Sequence, residues 1–397
     1  MTPTDRQLDH AAALAGLPEM TPVRLAAVLA TLDPVEAWTA LARGTHPADP
    51  KRRFAAAARA GDPRGVGESY RGAGIQVLVP GDGRYPPDLV GDPGAPAVLF
   101  AHGDPSVLVD RHRVAIVGTR SATPYGRQVA AELGRDLAAA GVAVISGLAR
   151  GIDGAAHAGA LSVADGEGAP PVAVVGTGLD AVYPSSNAPL WEQVVARGVV
   201  FSESPLRTPP RPKVFPARNR IIAALSDVVV VVESHHGGGS LYTVDAAARR
   251  GIPVAAVPGS VRSRASDGTN GLLVDGCIPV RDATDVLVAV SLARSGRPAP
   301  APAPLAATLV AARGRRSAVP SRSTGSNGSS APQSEAAPSP AITEAGRSVL
   351  EAIDDTPTTF ETILLRTGLS IAPVAEACED LVAHGLVLAG AGWWSRR

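Results

Sequence analysis

Cysteine is scarce in this sequence, with only two residues, Cys277 and Cys378, in a chain of 397. Two thiols so far apart are too few for a disulfide framework or a zinc site, and such cysteine usage suits a reducing cytoplasm. The first ten residues, MTPTDRQLDH, lack the charged-then-apolar layout of a signal peptide, and no apolar run approaches the length of a membrane span. We therefore expect a cytoplasmic protein that does not bind a membrane.

The sequence also lacks an excess of charge and has almost no lysine. Lysine and arginine together number 37, as do aspartate and glutamate, which gives a formal net charge of zero. A protein without excess positive charge binds nucleic acid only through local basic patches. Lys51 and Lys213 are the only lysines, and because alanine, glycine and proline are plentiful we interpret this as a coding bias.

The middle of the sequence predicts a doubly wound parallel sheet. Six short apolar runs are separated by segments long enough for helices, and in the first such segment Val129, Leu133 and Leu137 recur every fourth residue. Continuous β-branched runs are typical of parallel strands buried on both faces, and their alternation with helices is typical of an α/β, extended Rossmann-like domain. The predicted strands are Val114–Val117, Val142–Ile145, Val172–Val175, Val199–Phe201, Val228–Val232 and Val254–Val257.

Small residues, usually glycine, follow nearly every predicted strand. In a parallel sheet these loops meet at one edge, where such sheets bind ligands. A turn at that edge exposes backbone N–H groups beside the positive end of a helix dipole, so a phosphate- or nucleotide-shaped ligand is expected. The first turn has neither the dinucleotide fingerprint nor a P-loop lysine. The turns are Gly118–Arg120, Gly147–Gly151, Gly176–Gly178, Glu203-Ser204, Gly237–Ser240 and Pro258–Ser260.

A second informative stretch, RTPPRPKVFPARNRIIAALSD, carries five cations and no acid before its last residue. Cations that follow a phosphate backbone, together with Phe215 as a ring for a base, are typical of single-stranded nucleic acid binding. A helix is predicted to begin near Ala217. Alternatively, Phe215 anchors the core, while Arg218 and Arg220 are solvated residues of the first helical turn. The five cations are Arg207, Arg211, Lys213, Arg218 and Arg220.

No catalytic constellation or metal site emerges from the sequence. His157 lacks a serine or cysteine nucleophile partner, and His235-His236 lacks a third ligand at metal-binding spacing. Four acids lie close to strand ends, and we expect them to cap helices and accept hydrogen bonds from loop amides rather than to bind Mg²⁺. We therefore predict no catalytic residue, metal or cofactor. The four acids are Asp153, Asp180, Glu203 and Glu233.

The flanking segments predict a further domain at each end. The amino-terminal segment predicts short helices, similar to a SAM or helix-hairpin domain, followed by a strand-and-turn connector. The carboxyl-terminal segment predicts a winged helix whose third helix carries three acids and no basic residue, so we expect it to bind a protein rather than the major groove. The predicted parts are a helical domain (1–74), a connector (75–110), the Rossmann-like domain (111–291), a disordered linker (292–340) and the winged helix (341–397).

The motifs of this chain resemble those of the DNA-processing protein A family (DprA, also called Smf). The resemblance is dense from about Tyr85 to Leu287, and the order of helical domain, Rossmann-like domain, linker and winged helix is similar to that of the longer members. The motifs that carry it are YPPDL (85–89), VAIVGTR (114–120), SGLARGIDGAAHAGAL (146–161), GTGLDAVYP (176–184), FPARNRIIAALS (215–226), GGSLYT (238–243), VPGS (257–260) and GTNGLL (268–273).

The resemblance implies a protein without catalytic activity that binds single-stranded DNA as a homodimer. It also implies that the protein helps to load RecA recombinase onto that DNA during natural transformation and recombination. Arg120 is then expected to make the charged contact to a DNA phosphate, with the glycine loop after the fifth predicted strand as the floor of the pocket. The implied DNA- and phosphate-binding residues are Gly118, Thr119, Arg120, Gly147, Lys213, Phe215, Arg218, Asn219, Arg220, Gly239, Ser240 and Thr243.

An alternative is an enzyme that acts on nucleotides. The lysine-decarboxylase-like phosphoribohydrolases are also Rossmann-like and use a Gly-Gly-x-Gly-Thr loop with nearby acids. This chain has Gly237-Gly238-Gly239-Ser240 at the corresponding position, without a clear acidic partner. Release of a free base from a nucleoside monophosphate would favour the enzyme.

Overall fold

The structure is a computed structural model that describes residues 3–212, 214–294, 343–353, 358–369, 371–384, 386–390 and 393–396. The chain divides into two compact units, Met1–Arg315 and Arg316–Arg397. Each unit has its own core, and each is described by itself below.

A single nine-stranded sheet organises the first unit. Its strands are β1 (Ile75–Leu78), β2 (Leu99–Gly103), β3 (Arg113–Val117), β4 (Ala143–Ser146), β5 (Val172–Val175), β6 (Val199–Ser202), β7 (Val228–Val231), β8 (Val254–Ala256) and β9 (Ile278–Pro279). Their order is β1-β2-β6-β5-β4-β3-β7-β8-β9, antiparallel at β1–β2 and β2–β6 and parallel elsewhere. The chain runs outward from β3 to β6 and then returns to the other side of β3 at β7. This reversal creates the switch point where doubly wound sheets bind ligands.

The six strands predicted from the sequence are confirmed as β3 to β8, with ends that differ by at most one residue. Every residue of β3 to β7 is buried, as continuous β-branched runs indicate for strands covered on both faces. The connector adds β1 and β2 as an antiparallel extension beside β6, and β9 adds a short parallel edge strand. The fold is therefore mixed α/β with a mostly parallel sheet.

Helices cover both faces of this sheet. Val114 and Ile116 pack against α6, α7 and α12 on one face, while Ala115 and Val117 pack against α9 and α10 on the other. Among the residues that the structure describes, no single helix is long and apolar enough to span a membrane. In the same residues, one pair of helices, α2 and α3, meets the criteria of length and composition together, and the two helices are bent by 102°. The helices are α1 (Asp5–Ala15), α2 (Pro22–Leu29), α3 (Pro34–Arg43), α4 (Ala55–Ala60), α5 (Pro63–Gly72), α6 (Pro124–Ala139), α7 (Ile152–Leu161), α8 (Ala188–Arg197), α9 (Val214–Ala224), α10 (Leu241–Ala248), α11 (Asp267–Val274) and α12 (Ala283–Arg294).

The five amino-terminal helices share a core with one edge of the sheet. Leu14 of α1 belongs to the same buried cluster as Phe100 of β2. Tyr70 of α5 stacks on Phe100 with ring centroids 4.8 Å apart, and its hydroxyl accepts a hydrogen bond from the Leu206 amide at 3.0 Å. These helices therefore pack within the first unit, and the predicted boundary after residue 74 stays a prediction.

Close contact between α6 and α7 depends on glycine. A Cβ at Gly134 of α6 would overlap the backbone of Ala156, and a Cβ at Gly159 of α7 would overlap the backbone of Ala131. Because neither glycine has a side chain, the two helix backbones touch. This contact fixes the start of α7, which follows directly on the turn Gly147–Gly151 at the carboxyl end of β4.

In its described residues, the second unit contains three helices and a small antiparallel sheet of order β10-β12-β11. Its core includes Val349, Ile363, Val374 and Leu381. The predicted turn at Ala391-Gly392 and most of the predicted linker lie outside the described residues, whereas α12 includes residues 292–294 and so extends into that linker. The elements are α13 (Glu344–Ala352), β10 (Thr358–Thr359), α14 (Phe360–Thr367), α15 (Ile371–Ala383), β11 (Val387–Gly390) and β12 (Trp393–Arg396).

Two ion pairs fasten the connector between β1 and β2 to the rest of the first unit. Asp92 accepts hydrogen bonds from Arg250 Nε at 2.6 Å and Nη2 at 2.8 Å, with side chains that are 10% and 17% exposed. Asp88 pairs in the same way with Arg113, at the buried start of β3. Burial works to raise the pKa of Asp92, but hydrogen bonds from Arg250 and the Gly94 amide outweigh burial and lower that pKa below 3.8.

Asp92→Ala should lower the free energy of unfolding by about 2 kcal/mol near neutral pH, because it removes the carboxylate partner of Arg250, whose side chain is 17% exposed. Since the pKa of Asp92 is depressed in the folded state, its stabilisation is present above 3.8 and is lost as the pH falls through the native pKa. The difference in the free energy of unfolding between wild type and variant, measured with urea, should therefore become smaller in acid. Glu68→Ala, in the exposed Arg64–Glu68 pair, is the control and should cost less than about 0.5 kcal/mol. Equal losses in the two variants would contradict the prediction.

Candidate functional site

An open pocket lies at the switch point of the sheet, where loops after β3, β4, β5 and β7 converge. We call it the main pocket. A smaller pocket, the side pocket, adjoins it at the ends of β4 and β5, and Gly147 lines this side pocket. The two pockets share Arg120, Ala149, Tyr183, Phe215 and Arg218. The main pocket brings together nine of the predicted site residues, which are Gly118, Thr119, Arg120, Phe215, Arg218, Asn219, Gly239, Ser240 and Thr243.

The turn after β3 is held in one conformation by its neighbours. A Cβ at Gly118 would lie 2.5 Å from Ile152 Cγ1 and 2.7 Å from the Glu233 carbonyl oxygen, so only glycine fits. The Thr119 amide donates to that same carbonyl at 2.8 Å and is not available to a ligand. The contacts that this turn offers to an anion therefore come chiefly from the exposed guanidinium of Arg120. Its Cζ lies 4.4 Å above the centroid of the Phe215 ring.

Arg218 is a buried cation without a full set of hydrogen-bond partners. The residue is only 6% exposed, and among the described residues its Nε and Nη1 have no acceptor, while Nη2 donates to the Gly147 carbonyl at 3.4 Å. Burial lowers the pKa of the guanidinium to about 10, partly offset by the charge of Asp153, so the group stays cationic at neutral pH. Buried donors without partners are rare in proteins, and a cation lining a pocket indicates an anionic ligand.

Gly147 makes room for that guanidinium. A Cβ at this position would overlap Nη1 of Arg218. The Gly147 amide donates to Asp153 Oδ2 at 3.2 Å, and Asp153 is buried in the first turn of α7. Burial raises the pKa of Asp153, while the charges of Arg218 and Arg120 act against that rise. Gly147 and Asp153 thus form the immediate surroundings of the buried cation.

The acids near the strand ends accept hydrogen bonds, as the sequence predicted. Asp153 accepts from the Gly147 amide, and Asp180 accepts from the Arg207 amide at 2.9 Å. Glu233 accepts from the Thr123 amide at 2.9 Å and from its hydroxyl, at the start of α6. Glu203 differs, because it forms an ion pair with Arg220 at 2.6 Å.

The glycine loop after β7 forms another wall of the main pocket. The Ser240 hydroxyl, which is buried, donates to the Ser234 hydroxyl at 2.9 Å, and Thr243 is 1% exposed. The side-chain amide of Asn219 donates to the Gly239 carbonyl at 3.2 Å and ties the loop to α9. Gly239 itself is exposed and has no atom within 4 Å of a Cβ built on it, so its backbone is open to a ligand.

Helix α9 begins at Val214, three residues earlier than predicted. The sequence placed the start near Ala217 because Ile221, Ile222 and Leu225 fall on one face, but that pattern does not mark the first turn. In a first turn the missing N–H of Pro216 costs nothing. Arg218 therefore lies in the second turn, buried, rather than solvated at the helix start. Arg220 lies two residues further round the helix, so it points away and pairs with Glu203 instead of lining either pocket.

Lys213 lies outside the described residues, so its prediction as a site residue stays a prediction. Arg211, counted among the cations of the basic stretch, lines the main pocket. Arg150 and Tyr183 line the side pocket, although the sequence analysis did not select them. Both follow predicted strands in the motifs SGLARGID and GTGLDAVYP, which is the signal that could have identified them.

The arrangement suits binding of an anion more than acid–base or metal chemistry. In the described part of the chain, no cluster of three or more metal-ligating side chains occurs. His157 is fully buried, and burial lowers its pKa to about 4, so it is neutral at pH 7. The main pocket offers the exposed guanidinium groups of Arg120 and Arg211, the buried guanidinium of Arg218 and the aromatic rings of Phe215 and Tyr183. These features define a Rossmann-like protein with a cationic pocket at its switch point.

Comparison with known proteins identifies the family. Residues 76–291 match the family model described as DNA recombination-mediator protein A. These residues include all of the residues that line the two pockets. They also include the whole sheet apart from Ile75, the first residue of β1. The chain belongs to this family of DNA-processing proteins.

Curated relatives and a solved structure agree with this assignment. DNA processing protein DprA of Bacillus subtilis is 37% identical over 218 residues, which cover 55% of this chain and 72% of that protein. Protein Smf of Escherichia coli is 38% identical over 212 residues, covering 53% of this chain and 55% of that protein. The X-ray structure of DprA from Streptococcus pneumoniae, 31% identical, aligns with a TM-score of 0.60 over 72% of this chain and 98% of that one.

A double variant, Arg218→Met with Asp153→Asn, replaces both buried charges. Its free energy of unfolding should be equal to or above that of wild type. The reason is that a buried cation with unpartnered donors costs stability in the free protein. Inorganic phosphate should raise the unfolding temperature of wild type and not that of the double variant, because only wild type binds the anion.

Arg218→Met alone is the matched control. It leaves Asp153 buried beside a removed cation, so it should be less stable than the double variant. A double variant that unfolds more easily than wild type by more than about 1 kcal/mol would mean that Arg218 supports the fold rather than a ligand.

Proposed function

We propose that this protein binds single-stranded DNA in the main pocket, with a backbone phosphate between Arg120 and Arg218. The observation that carries the proposal is Arg218, a 6% exposed guanidinium with two unpartnered donors beside an open pocket. A phosphate supplies the acceptors that these donors lack, and charge-assisted hydrogen bonds of this kind are among the strong ones. Membership of the DNA recombination-mediator family makes DNA the source of that phosphate.

A single strand is favoured over a duplex because the pocket combines cations with aromatic rings. Phosphates are present in both forms, but bases are free to stack on protein side chains only when they are unpaired. Phe215 and Tyr183 line the main pocket together with Arg120, and Arg211 lies at the same opening. We expect binding that depends strongly on salt and weakly on sequence.

The proposed contacts follow the position of each side chain. Arg120 and Thr119 contact the phosphate from the turn after β3, and the buried Arg218 contacts it from α9. Lys213 is proposed as a further cation from the sequence alone. Arg220 supports the loop after β6 through its ion pair with Glu203. The remaining predicted residues shape the pocket, and they are Gly118, Gly147, Phe215, Asn219, Gly239, Ser240 and Thr243.

The wider role rests on the family and on the resemblance of the motifs. We propose that the protein acts as a homodimer in the cytoplasm and helps to load RecA recombinase onto single-stranded DNA, in recombination and natural transformation. In this proposal residues 1–74 form a helical domain, and residues 341–397 form a winged helix that binds a protein partner. The protein is proposed to act without catalysis, so incubation with nucleoside monophosphates should release no free base.

Arg120→Ala should weaken binding of labelled single-stranded DNA by about 1–3 kcal/mol, because it removes a charged phosphate contact. The slope of log affinity against log salt should fall by about 0.7 for the lost phosphate contact. The measurement is an equilibrium titration at several salt concentrations, with a duplex of the same length in parallel. Wild type should prefer the single strand.

Arg43→Ala is the matched control for this titration. Arg43 is exposed at the end of α3 and lines neither pocket, so the variant should bind as wild type does. Binding by Arg120→Ala with unchanged affinity and salt slope would refute the pocket as the DNA site. Failure of wild type to bind either DNA form would refute the proposed function.

Wild-type protein should shorten the lag before RecA filaments form on labelled single-stranded DNA, and Arg120→Ala should do so less well. The physical reason is that a mediator which does not hold the strand cannot bring RecA to it. Filament growth followed by fluorescence gives the lag, with Arg43→Ala as the control. A lag that wild type leaves unchanged would refute RecA loading while leaving DNA binding in place.

A further inference from the structure

The segment between β6 and α9 reaches the main pocket without forming a helix or a strand of its own. Residues 205–212, which we call the rim, carry Arg207 and Arg211. Arg211 lines the main pocket together with the prolines on either side of it. Because no helix or sheet contains the rim, the position of Arg211 depends on what the rim rests against.

The first half of the rim is held against the loop after β5. The Asp180 carboxylate accepts a hydrogen bond from the Arg207 amide at 2.9 Å, and the Gly178 amide donates to the Thr208 carbonyl at 3.0 Å. Arg207 has a φ of 65°, a left-handed conformation that is unfavourable for a residue with a side chain. Such a conformation persists only where the surrounding contacts impose it, so the neighbours of the rim determine its shape.

The rim also rests on the amino-terminal helices. The Leu206 amide donates to the hydroxyl of Tyr70 in α5 at 3.0 Å, and the Leu206 side chain packs against the buried cluster that contains Tyr70. The stack of the Tyr70 ring on Phe100 needs no hydroxyl, since a phenylalanine would stack equally well. What the hydroxyl adds, on a residue that is 2% exposed, is a hydrogen bond to a segment 136 residues further along the chain. Removing it would leave the Leu206 amide without this acceptor.

The position of Tyr70 is itself fixed by the packing of α5 on α1. A Cβ at Gly67 of α5 would overlap the carboxylate of Asp9 in α1, so the two helices lie in close contact. Asp9, whose side chain is 11% exposed, also forms an ion pair with Arg71, the residue after Tyr70. A continuous series of contacts therefore runs from α1 through α5 and Tyr70 to Leu206 in the rim.

We infer that Tyr70 is a positioning residue for DNA binding, whose hydroxyl holds Leu206 and thereby keeps Arg211 of the rim at the main pocket. The inference rests on the proposed function and adds a remote residue to it. The amino-terminal helices then contribute to the affinity for single-stranded DNA without contacting the strand. The hydrogen bond raises the fraction of molecules in which the rim is in its binding position, and the apparent affinity rises by the same factor.

Cleavage by trypsin follows the rim without any DNA. Trypsin cuts after arginine unless proline follows, so within the rim it cuts between Arg207 and Thr208 and not between Arg211 and Pro212. A fragment that begins with the sequence TPPRP identifies this cut. The rate of cutting follows the population of molecules in which the segment is released.

Tyr70→Phe in the full chain keeps the buried ring and removes the hydroxyl to which the Leu206 amide donates. Cutting after Arg207 should become about threefold faster or more, which is the effect of losing one neutral hydrogen bond. The affinity for an oligothymidylate, measured by equilibrium titration at several salt concentrations, should fall by a similar factor. The slope of log affinity against log salt should become less steep, because the phosphate contact of Arg211 is partly lost.

Tyr85→Phe is the matched control. Tyr85 is 3% exposed and its hydroxyl donates to the Pro96 carbonyl at 2.7 Å, so this variant also loses one hydrogen bond of a buried tyrosine. Tyr85 lines neither pocket, and Pro96 lies outside the rim. Cutting after Arg207, the DNA affinity and the salt slope should therefore all stay as in wild type.

A double variant separates positioning from a general loss of stability. Tyr70→Phe added to Arg211→Ala should lower the DNA affinity by less than about twofold further, since the side chain that Tyr70 positions has already been removed. If Tyr70 only stabilised the fold, its replacement would lower the affinity by the same factor with and without Arg211.

Two results would overturn the inference. The first is a Tyr70→Phe variant that is cut after Arg207 at the wild-type rate, and the second is a loss of affinity that is absent or does not depend on Arg211. If Arg120→Ala still loses affinity in the same titration, the proposed DNA site stands and only the role of Tyr70 fails. If wild type does not bind the oligothymidylate, the proposed function fails and the role of Tyr70 in DNA binding fails with it, whereas the cutting rates still report whether Tyr70 holds the rim.

Discussion

The buried guanidinium of Arg218 is the interaction on which the rest of the site depends. Two of its donors have no acceptor among the described residues, and each such buried donor costs about 1–3 kcal/mol. The fold accommodates this cost locally. Gly147 leaves the space that the guanidinium fills, and Asp153 supplies opposite charge without closing an ion pair around it. A closer carboxylate would stabilise the free protein but would occupy the donors that an anion requires.

The sheet brings these groups together because its order reverses at β3. Strands β3, β4, β5 and β7 end at the same edge, so four loops spread over residues 117–243 meet around one pocket. Packing holds them there with little side-chain bulk. The backbones of α6 and α7 touch at Gly134 and Gly159, which fixes the start of α7 and, with it, Asp153. Gly134 and Gly159 therefore allow close packing of the two helices, while Gly118 and Gly147 leave room for their neighbours at the edge of the sheet.

Much of this arrangement could be predicted from the sequence, because valine runs and glycine turns are local signals. The six runs specified β3 to β8, and the loop after each run indicated the edge where the site lies. The start of α9 was misplaced, since the shared face of Ile221, Ile222 and Leu225 indicates a helix but does not mark its first turn, where Pro216 is tolerated. The partner of Arg220 was equally out of reach, because Glu203 lies on another strand end and only the three-dimensional fold brings it within 2.6 Å.

The difference between Phe215 and Tyr183 shows why a residue type alone does not define a role. From the sequence, Phe215 was the natural ring for a base, because it stands among five cations. A cation over an aromatic face is itself attracted to that face, however, and the energy grows as the pair loses water. Arg120 therefore competes with any base for Phe215, and in the free protein it occupies that ring. The surroundings of Phe215 in the free protein are therefore set by its contact with Arg120 and by the Tyr183 ring, whose centroid lies 5.5 Å away.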